Sequence, residues 1–288
     1  MALLRKSVLI TGCSAGGIGA ALAEVFHEKG YHVFATARNP SKIPQALSSS
    51  ANVTALKLDV LSSESIAAAA EDVKRETGGK LDVLINNSGG GYYAAALDTS
   101  IEEAKKLYDL HVWAPLSILQ AFAPQLIEAK GCLVNNSSIS AYIPMAFGGA
   151  YNGSKAALVA ASETWRYELQ PLGVRTITLI TCATKTQYFN NVEGAKIPET
   201  SKYYEVRGLV HGLTDGHLQA GAISARQYAT KVVREVEKGT VGTVWAGTNA
   251  LINRLTLWLS PQLLMDMVLE SIVPVGREMA KVAQRSKA

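Results

Sequence analysis

The chain has 288 residues, 48% of them hydrophobic, with 28 Lys and Arg against 24 Asp and Glu and a formal charge of +4 at pH 7. That content can fill a substantial core, and so slight a basic excess, with no long basic run interleaved with aromatics, argues against nucleic acid as a partner. Cys13, Cys132 and Cys182 are scattered and odd in number; neither a disulfide framework nor a metal cluster is expected, and a reducing compartment fits best.

The first β-rich apolar run, residues 7–11, begins too early to leave room for a secretory signal peptide. It is followed by Gly12-Cys-Ser-Ala-Gly-Gly-Ile-Gly19 and a helical pattern over 20–29 that Gly30 closes. Strand, glycine loop and helix form a phosphate-binding layout. Glycines let the backbone turn sharply and approach a pyrophosphate, and the helix N-terminus offers unpaired N–H groups. Gly12, Ser14, Gly17, Ile18 and Gly19 are thus candidate nucleotide contacts, a plain turn being the alternative. The second strand, 31–37, ends in Arg38. An acidic residue there would accept from the ribose hydroxyls of NAD, whereas an arginine suits the additional phosphate of NADP, so NADPH/NADP+ is expected over NAD. The competing reading is a solvated loop charge.

Further strands are expected at 53–58, 81–86, 132–137, 174–180 and 240–245, alternating with helical patterns. That alternation predicts an α/β fold: a Rossmann-type, doubly wound parallel sheet with helices on both faces. One helix covers 63–77; a longer one opens at Thr99-Ser-Ile-Glu102, which has capping-box spacing, and Pro115 is expected to bend it. The residues of most chemical interest follow. Ser138 stands at the carboxyl end of the fifth strand, facing the crevice where such sheets bind ligands. Tyr151 lies 151 − 138 = 13 residues later, and Lys155 four beyond it, on one helix face. A cation beside a phenol favours phenolate, which would lower the Tyr151 pKa toward neutrality and let it exchange a proton with a substrate oxygen. Taken singly, Ser138 could serve its local turn and the Tyr-Lys pair a solvated helix face.

Together these residues resemble the classical short-chain dehydrogenase/reductase family. The matching pieces run in family order: Thr11-Gly12 with Gly17-Ile-Gly19, Asp59-Val60, Asn86-Asn-Ser-Gly89, Ser138, and Tyr151 with Lys155. The resemblance implies hydride transfer between nicotinamide and a carbonyl or alcohol. Ser138 would hold the substrate oxygen and Tyr151 act as acid/base, while Lys155 lowered the tyrosine pKa and bound the nicotinamide ribose. Carried over likewise, Asp59 and Val60 would lie at the adenine, Asn87 near the cofactor ribose, and Thr184 and Thr186 at the nicotinamide end. Three departures stand out. Four residues separate Gly12 from Gly17 where three are usual, so Ala15 or Gly16 is expected to bulge. His111 occupies the place of an asparagine that serves the family's proton relay; it is a candidate relay residue or an inert buried histidine. Thr181-Cys182 stands where Pro-Gly is common.

Residues 1–249 are read as the Rossmann domain. Within it, about 187–221 lacks firm periodicity and is expected to close over substrate, with Tyr188, Phe189, Tyr203 and Tyr204 as an apolar wall or as lid packing. Residues 250–288 form an apolar extension interrupted by Arg254, Pro261, Asp266 and Glu270, too broken for a transmembrane helix. With its basic tail it suits a pocket, a subunit contact or a membrane surface. The extension and Ala35-Thr-Ala-Arg-Asn-Pro40 are similar to the fungal branch related to NADPH-dependent 1-acyl-dihydroxyacetone-phosphate reductase. What that implies is reduction of a lipid-like ketone, with polyketide and terpenoid ketones open, by a homo-oligomer (dimer or tetramer). The location implied is cytoplasmic, peripheral to the endoplasmic reticulum or lipid droplets. The alternative is the same scaffold used for non-redox chemistry, as a cyclase, isomerase or cofactor-dependent binder.

Overall fold

In the computed structural model, which describes residues 5–192 and 197–285, the expected runs form β1 (Ser7–Ile10), β2 (His32–Ala37), β3 (Val53–Lys57), β4 (Val83–Asn86), β5 (Cys132–Asn136) and β6 (Arg175–Thr181). Two short strands, β7 (Thr184–Lys185) and β8 (Ile223–Ser224), precede β9 (Gly242–Ala246). Seven of the nine make one parallel sheet in the order β3-β2-β1-β4-β5-β6-β9. Parallel strands joined by crossovers are covered on both faces, which is why β1 and β4 are buried along their whole length and read as continuous apolar runs.

The helices are α1 (Ile18–Glu28), α2 (Gln45–Ser48), α3 (Ser63–Thr77), α4 (Ile101–Tyr108), α5 (Ala114–Ala129), α6 (Gly149–Leu169), α7 (Arg207–Gly212), α8 (Ala225–Glu237), α9 (Ala250–Leu259), α10 (Gln262–Ile272) and α11 (Val275–Arg285). Side chains alternate across each strand, so neighbouring residues feed opposite cores. Val8, Ile10, Val33 and Ile85 meet Leu22 and Phe26 of α1 and Tyr228 and Val232 of α8 on one face. Leu9, Phe34 and Leu84 meet Val73 of α3, Phe122 of α5 and Leu158 of α6 on the other. With β1 paired to both β2 and β4, the connection reverses direction beside β1, and the crevice at the carboxyl ends of the strands opens there.

Two local expectations are corrected. The helix start near 99–102 is capped by Ser100, whose hydroxyl accepts the Glu103 N–H at 3.3 Å, rather than by Thr99. The long helix is two helices joined by a π-helical turn, Asp109–Trp113. Pro115 follows directly on this turn inside a backbone that stays helical throughout, and the wider turn lies where its missing N–H interrupts the regular ladder. β7 and β8 pair in parallel as a separate two-stranded sheet and bring together the two ends of the segment between them, of which residues 186–192 and 197–222 are described. A third apolar cluster lies beneath it, with Tyr93, Phe147, Val210 and Leu213 buried and Tyr151, Tyr188 and Tyr203 packed against them.

Gly19 is the tightest point of the β1–α1 packing: a Cβ there would overlap the Gly12 carbonyl oxygen and lie 2.7 Å from Asn87 Nδ2. Gly19→Ala is therefore expected to lower stability by about 1–3 kcal/mol, read as a shifted urea midpoint, because both neighbours are backbone or tethered to it.

Candidate active site

The carboxyl ends of four strands are tied by one chain of hydrogen bonds. Thr11 Oγ1, just past β1, accepts the amide N–H groups of Asn87 and Ser88, each at 2.9 Å. Asn87 Nδ2 donates to the carbonyls of Thr11 (2.9 Å) and Gly12 (3.3 Å), and its Oδ1 accepts from Asn136 Nδ2 at 2.9 Å. Asn136 Oδ1 accepts from Thr181 Oγ1 at 2.5 Å, and Thr181 Oγ1 lies 2.6 Å from the Tyr228 hydroxyl. Asn87 thus spends its amide on the framework.

Above this platform lies the glycine loop. The additional residue between Gly12 and Gly17 is absorbed at Gly16, with φ +73°, and Gly12 also takes positive φ, +76°. Cys13 N–H bonds the Thr36 carbonyl and Ala15 N–H the Lys42 carbonyl, both at 2.8 Å, which holds the loop open over the ends of β1 and β2. Gly17 caps α1 without a side-chain hydrogen bond, so the first-turn N–H groups face outward uncapped by side chains. Ser14 and Ile18 are half-buried on this loop, and Arg38 is exposed at the end of β2 with no hydrogen bond or ion pair to it among the described residues. Asp59 is half-buried past β3, its Oδ1 accepting the Leu61 N–H at 3.1 Å, and Val60 beside it is buried. This set of donors and open backbone fits a dinucleotide with a ribose phosphate.

Ser138 follows β5 with its Oγ accepting the Ser140 N–H at 3.1 Å, leaving the hydroxyl proton to point elsewhere. The Ser138 and Tyr188 hydroxyls stand close enough to the Tyr151 phenol to favour its ionised form. Lys155, one turn on, is 7% exposed, its Nζ donating to the Asn136 carbonyl at 3.1 Å and standing 6.0 Å from the Tyr151 ring centre. Burial with no carboxylate partner depresses the Lys155 pKa to about 8. The expected lowering of Tyr151 is corrected. Burial raises its pKa above the ordinary phenol value, the hydroxyls of Ser138 and Tyr188 oppose that, and Lys155, turned to a carbonyl, is not among the groups that lower it.

His111 lies in the π-helical turn, buried against the edge of the Tyr151 ring, with ring centres 5.6 Å apart. Nε2 accepts the Gly90 N–H at 3.1 Å, which assigns the proton to Nδ1, 2.9 Å from Ser154 Oγ; that hydroxyl donates to the Tyr151 carbonyl at 2.8 Å. Burial, and secondarily the charge of Lys155, hold the imidazole well below its ordinary pKa. The ring is a neutral strut between the Gly89-Gly90 loop and α6.

Thr184 is buried and donates to the Cys182 carbonyl at 3.0 Å; Thr186 N–H bonds Gln219 Oε1 at 3.0 Å, tying the start of the lid to its end. Tyr188 donates to the Gly90 carbonyl at 3.1 Å, Phe189 packs edge-on against it, and Tyr203 meets Phe147 edge-on. Tyr204 is half-buried on the lid, its ring under the Arg207 guanidinium 4.1 Å away. Sequence reasoning missed Tyr93, whose ring centre is 5.7 Å from that of Tyr151, Asn136, Ser154, and Gln187, whose N–H bonds the Gly16 carbonyl at 3.0 Å and draws the lid onto the glycine loop. Asn136 sat in an apolar strand, and Tyr93 in a loop without period. Neither carried a local signal.

The comparisons agree with this geometry. The family model of the short chain dehydrogenases matches residues 6–196. A short-chain dehydrogenase of Penicillium ochrochloron, ptmH, is 39% identical over 264 residues, covering 92% of this chain and 96% of that protein. The NADPH-dependent 1-acyldihydroxyacetone phosphate reductase of Schizosaccharomyces pombe is 43% identical over 210 residues, 72% of this chain and 70% of that protein. Among solved structures, a short-chain dehydrogenase from Streptomyces avermitilis superimposes with a TM-score of 0.75 at 27% identity, covering 99% of both chains.

A histidine held neutral in the folded state takes up its proton more readily when unfolded, so the stability linked to His111 is fully present above pH 6.5 and is lost as pH falls below it. His111→Leu should flatten that acid limb in urea titrations. At pH 7 it should cost about 2–4 kcal/mol, because it strands both the Gly90 N–H and Ser154.

Proposed function

The chain belongs to the short-chain dehydrogenase/reductase family, and from that premise we propose that it reduces the carbonyl of an apolar ketone with NADPH. The observation that carries this reading is the meeting of the Ser138 and Tyr151 hydroxyls, with the buried ammonium of Lys155 one turn away, at the carboxyl edge of the sheet beside the glycine loop. When bound, NADPH supplies the hydride that reduces the carbonyl carbon. Tyr151, kept protonated by burial, is the proton donor to the carbonyl oxygen. Ser138, anchored by the Ser140 N–H, offers its own proton to the same oxygen and stabilises the charge that develops there. Lys155 holds a positive charge below pH about 8 in a site with little water, where it favours any charge shift from Tyr151 toward the oxygen.

NADPH is favoured over NADH by the exposed guanidinium of Arg38 at the end of β2, which has no ion pair among the described residues, and by what the Schizosaccharomyces pombe relative is named for. An apolar substrate, lipid-like, polyketide or terpenoid, is favoured by the cluster of Tyr93, Phe147, Val210 and Leu213 against which Tyr151 packs. Non-redox chemistry would need an acid or base beyond the tyrosine. His111 is the nearest candidate, and both its ring nitrogens are engaged.

Tyr151→Phe is expected to keep NADPH affinity while kcat for ketone reduction falls by roughly 10²–10⁴; normal turnover in an NADPH absorbance assay would remove the assignment. In the same assay the reductive rate should decline as pH rises through about 8, where Lys155 loses its charge, and Lys155→Arg should move that decline upward. Arg38→Asp should lower the preference for NADPH over NADH by about 10- to 100-fold, the worth of a charge-assisted phosphate contact.

A further inference from the structure

We propose that the outward faces of α9 and α10, with the basic side of α11, form a docking surface for an anionic lipid bilayer. Helices that cover the sheet bury their apolar side: α8 sinks Tyr228, Val232, Val233 and Val236 into the core. In the C-terminal pair the arrangement is inverted. α9 buries only Ala250 and α10 buries none of its residues. Leu251, Ile252, Trp258, Leu259, Leu263 and Met267 are instead 62–81% exposed, Trp258 the most of all. Helical spacing gathers Leu251, Ile252, Leu255, Trp258 and Leu259 on one face of α9, and Leu263, Leu264, Met267 and Val268 on one face of α10. Leu251, Leu255 and Trp258 also rim a groove with Tyr142 and Trp245, and apolar faces left this open need an occupant.

Charge selects the occupant. The acidic groups of this region are drawn into local bonds: Asp266 accepts from Gln262 at 2.8 Å, on the side of α10 opposite the apolar face, and Glu270 accepts the Arg277 N–H at 2.8 Å. Arg277, Lys281 and Arg285 recur every fourth residue along one side of α11. Lys281 is paired with Glu278 at 2.6 Å, whereas Arg254, beside the α9 face, and Arg277 and Arg285 form no ion pair among the described residues. An apolar face with a tryptophan, followed by a row of cations, matches a membrane surface carrying negative headgroups. Neither helix can cross one: at 10 and 11 residues they are about half the length a spanning helix needs, so they would lie in the interface. The surface is joined to the reaction site through Val273, which follows α10 directly and is buried in the cluster that holds Tyr151. The bilayer would thus meet the protein next to the apolar substrate cluster.

The test is co-sedimentation of the full chain with vesicles of phosphatidylcholine alone or with about 30 mol% phosphatidylserine, with reduction of a water-soluble ketone measured in parallel so that docking and catalysis are read separately. The expected result is binding to the anionic vesicles that weakens with added salt. Leu255→Ser/Trp258→Ser/Leu263→Ser should reduce it more than tenfold and leave reduction of the soluble ketone unchanged. Arg277→Gln/Lys281→Gln/Arg285→Gln should weaken it by roughly fivefold per cation; because it removes no apolar contact, it keeps the test readable where the apolar variant fails to fold. No binding to anionic vesicles, or binding that ignores the substitutions, overturns the proposal. So does a vesicle-free dimer that Trp258→Ser dissociates, which would give the face to a second copy of the chain.

Discussion

The site depends on a part-buried row of side-chain hydrogen bonds laid across the carboxyl ends of β1, β4, β5 and β6. Thr11, Asn87, Asn136, Thr181 and Tyr228 each satisfy the next, and the backbone of the same row receives Lys155 at the Asn136 carbonyl. A parallel sheet fixes its strands through evenly spaced backbone bonds, but those bonds stop where the loops leave. The side-chain row extends the alignment past that limit, into the loops that carry the glycine turn, Ser138 and the start of the lid. Each member satisfies its neighbour, so the loss of one leaves the next short of a partner.

Burial then sets the electrostatics that this geometry leaves open. Tyr151 is pushed toward its protonated form, Lys155 is brought down to about 8, and His111 is kept neutral. All three shifts run in the direction of less charge, as loss of water dictates. What differs is the neighbour. Tyr151 has two hydroxyls beside it, Lys155 donates to a carbonyl, and His111 meets one donor and one acceptor. The π-helical turn matters here because it sets the histidine facing Gly90 and Ser154 at once, a reach that the widened turn supplies.

The lid is bound to both halves of the site. Gln187 bonds the glycine loop at Gly16, Tyr188 bonds Gly90, and Thr186 bonds Gln219 near the return to β8. The C-terminal helices share that apolar cluster through Val273, so the lid and the extension cover the same ground from two sides.

Much of this was legible in one dimension. The periodicity placed the strands of the main sheet within one or two residues of where they lie, and the glycine loop, Ser138, Tyr151 and Lys155 follow from strand ends and helical spacing, because those signals are local. What the local pattern does not show rests on contacts from far along the chain. That Asn87 serves the framework depends on Asn136, 49 residues away; that Tyr188 reaches Gly90 depends on a separation of 98; and the pKa of Tyr151 rises because the fold excludes water from it. The sequence by itself determined the sheet, the glycine loop and the strand end and helix face that carry Ser138, Tyr151 and Lys155, since residue type and period act over one turn or one strand. Only the tertiary structure decided which polar groups are spent on one another and which apolar faces stay uncovered, because burial and pairing belong to whole surfaces brought together in space.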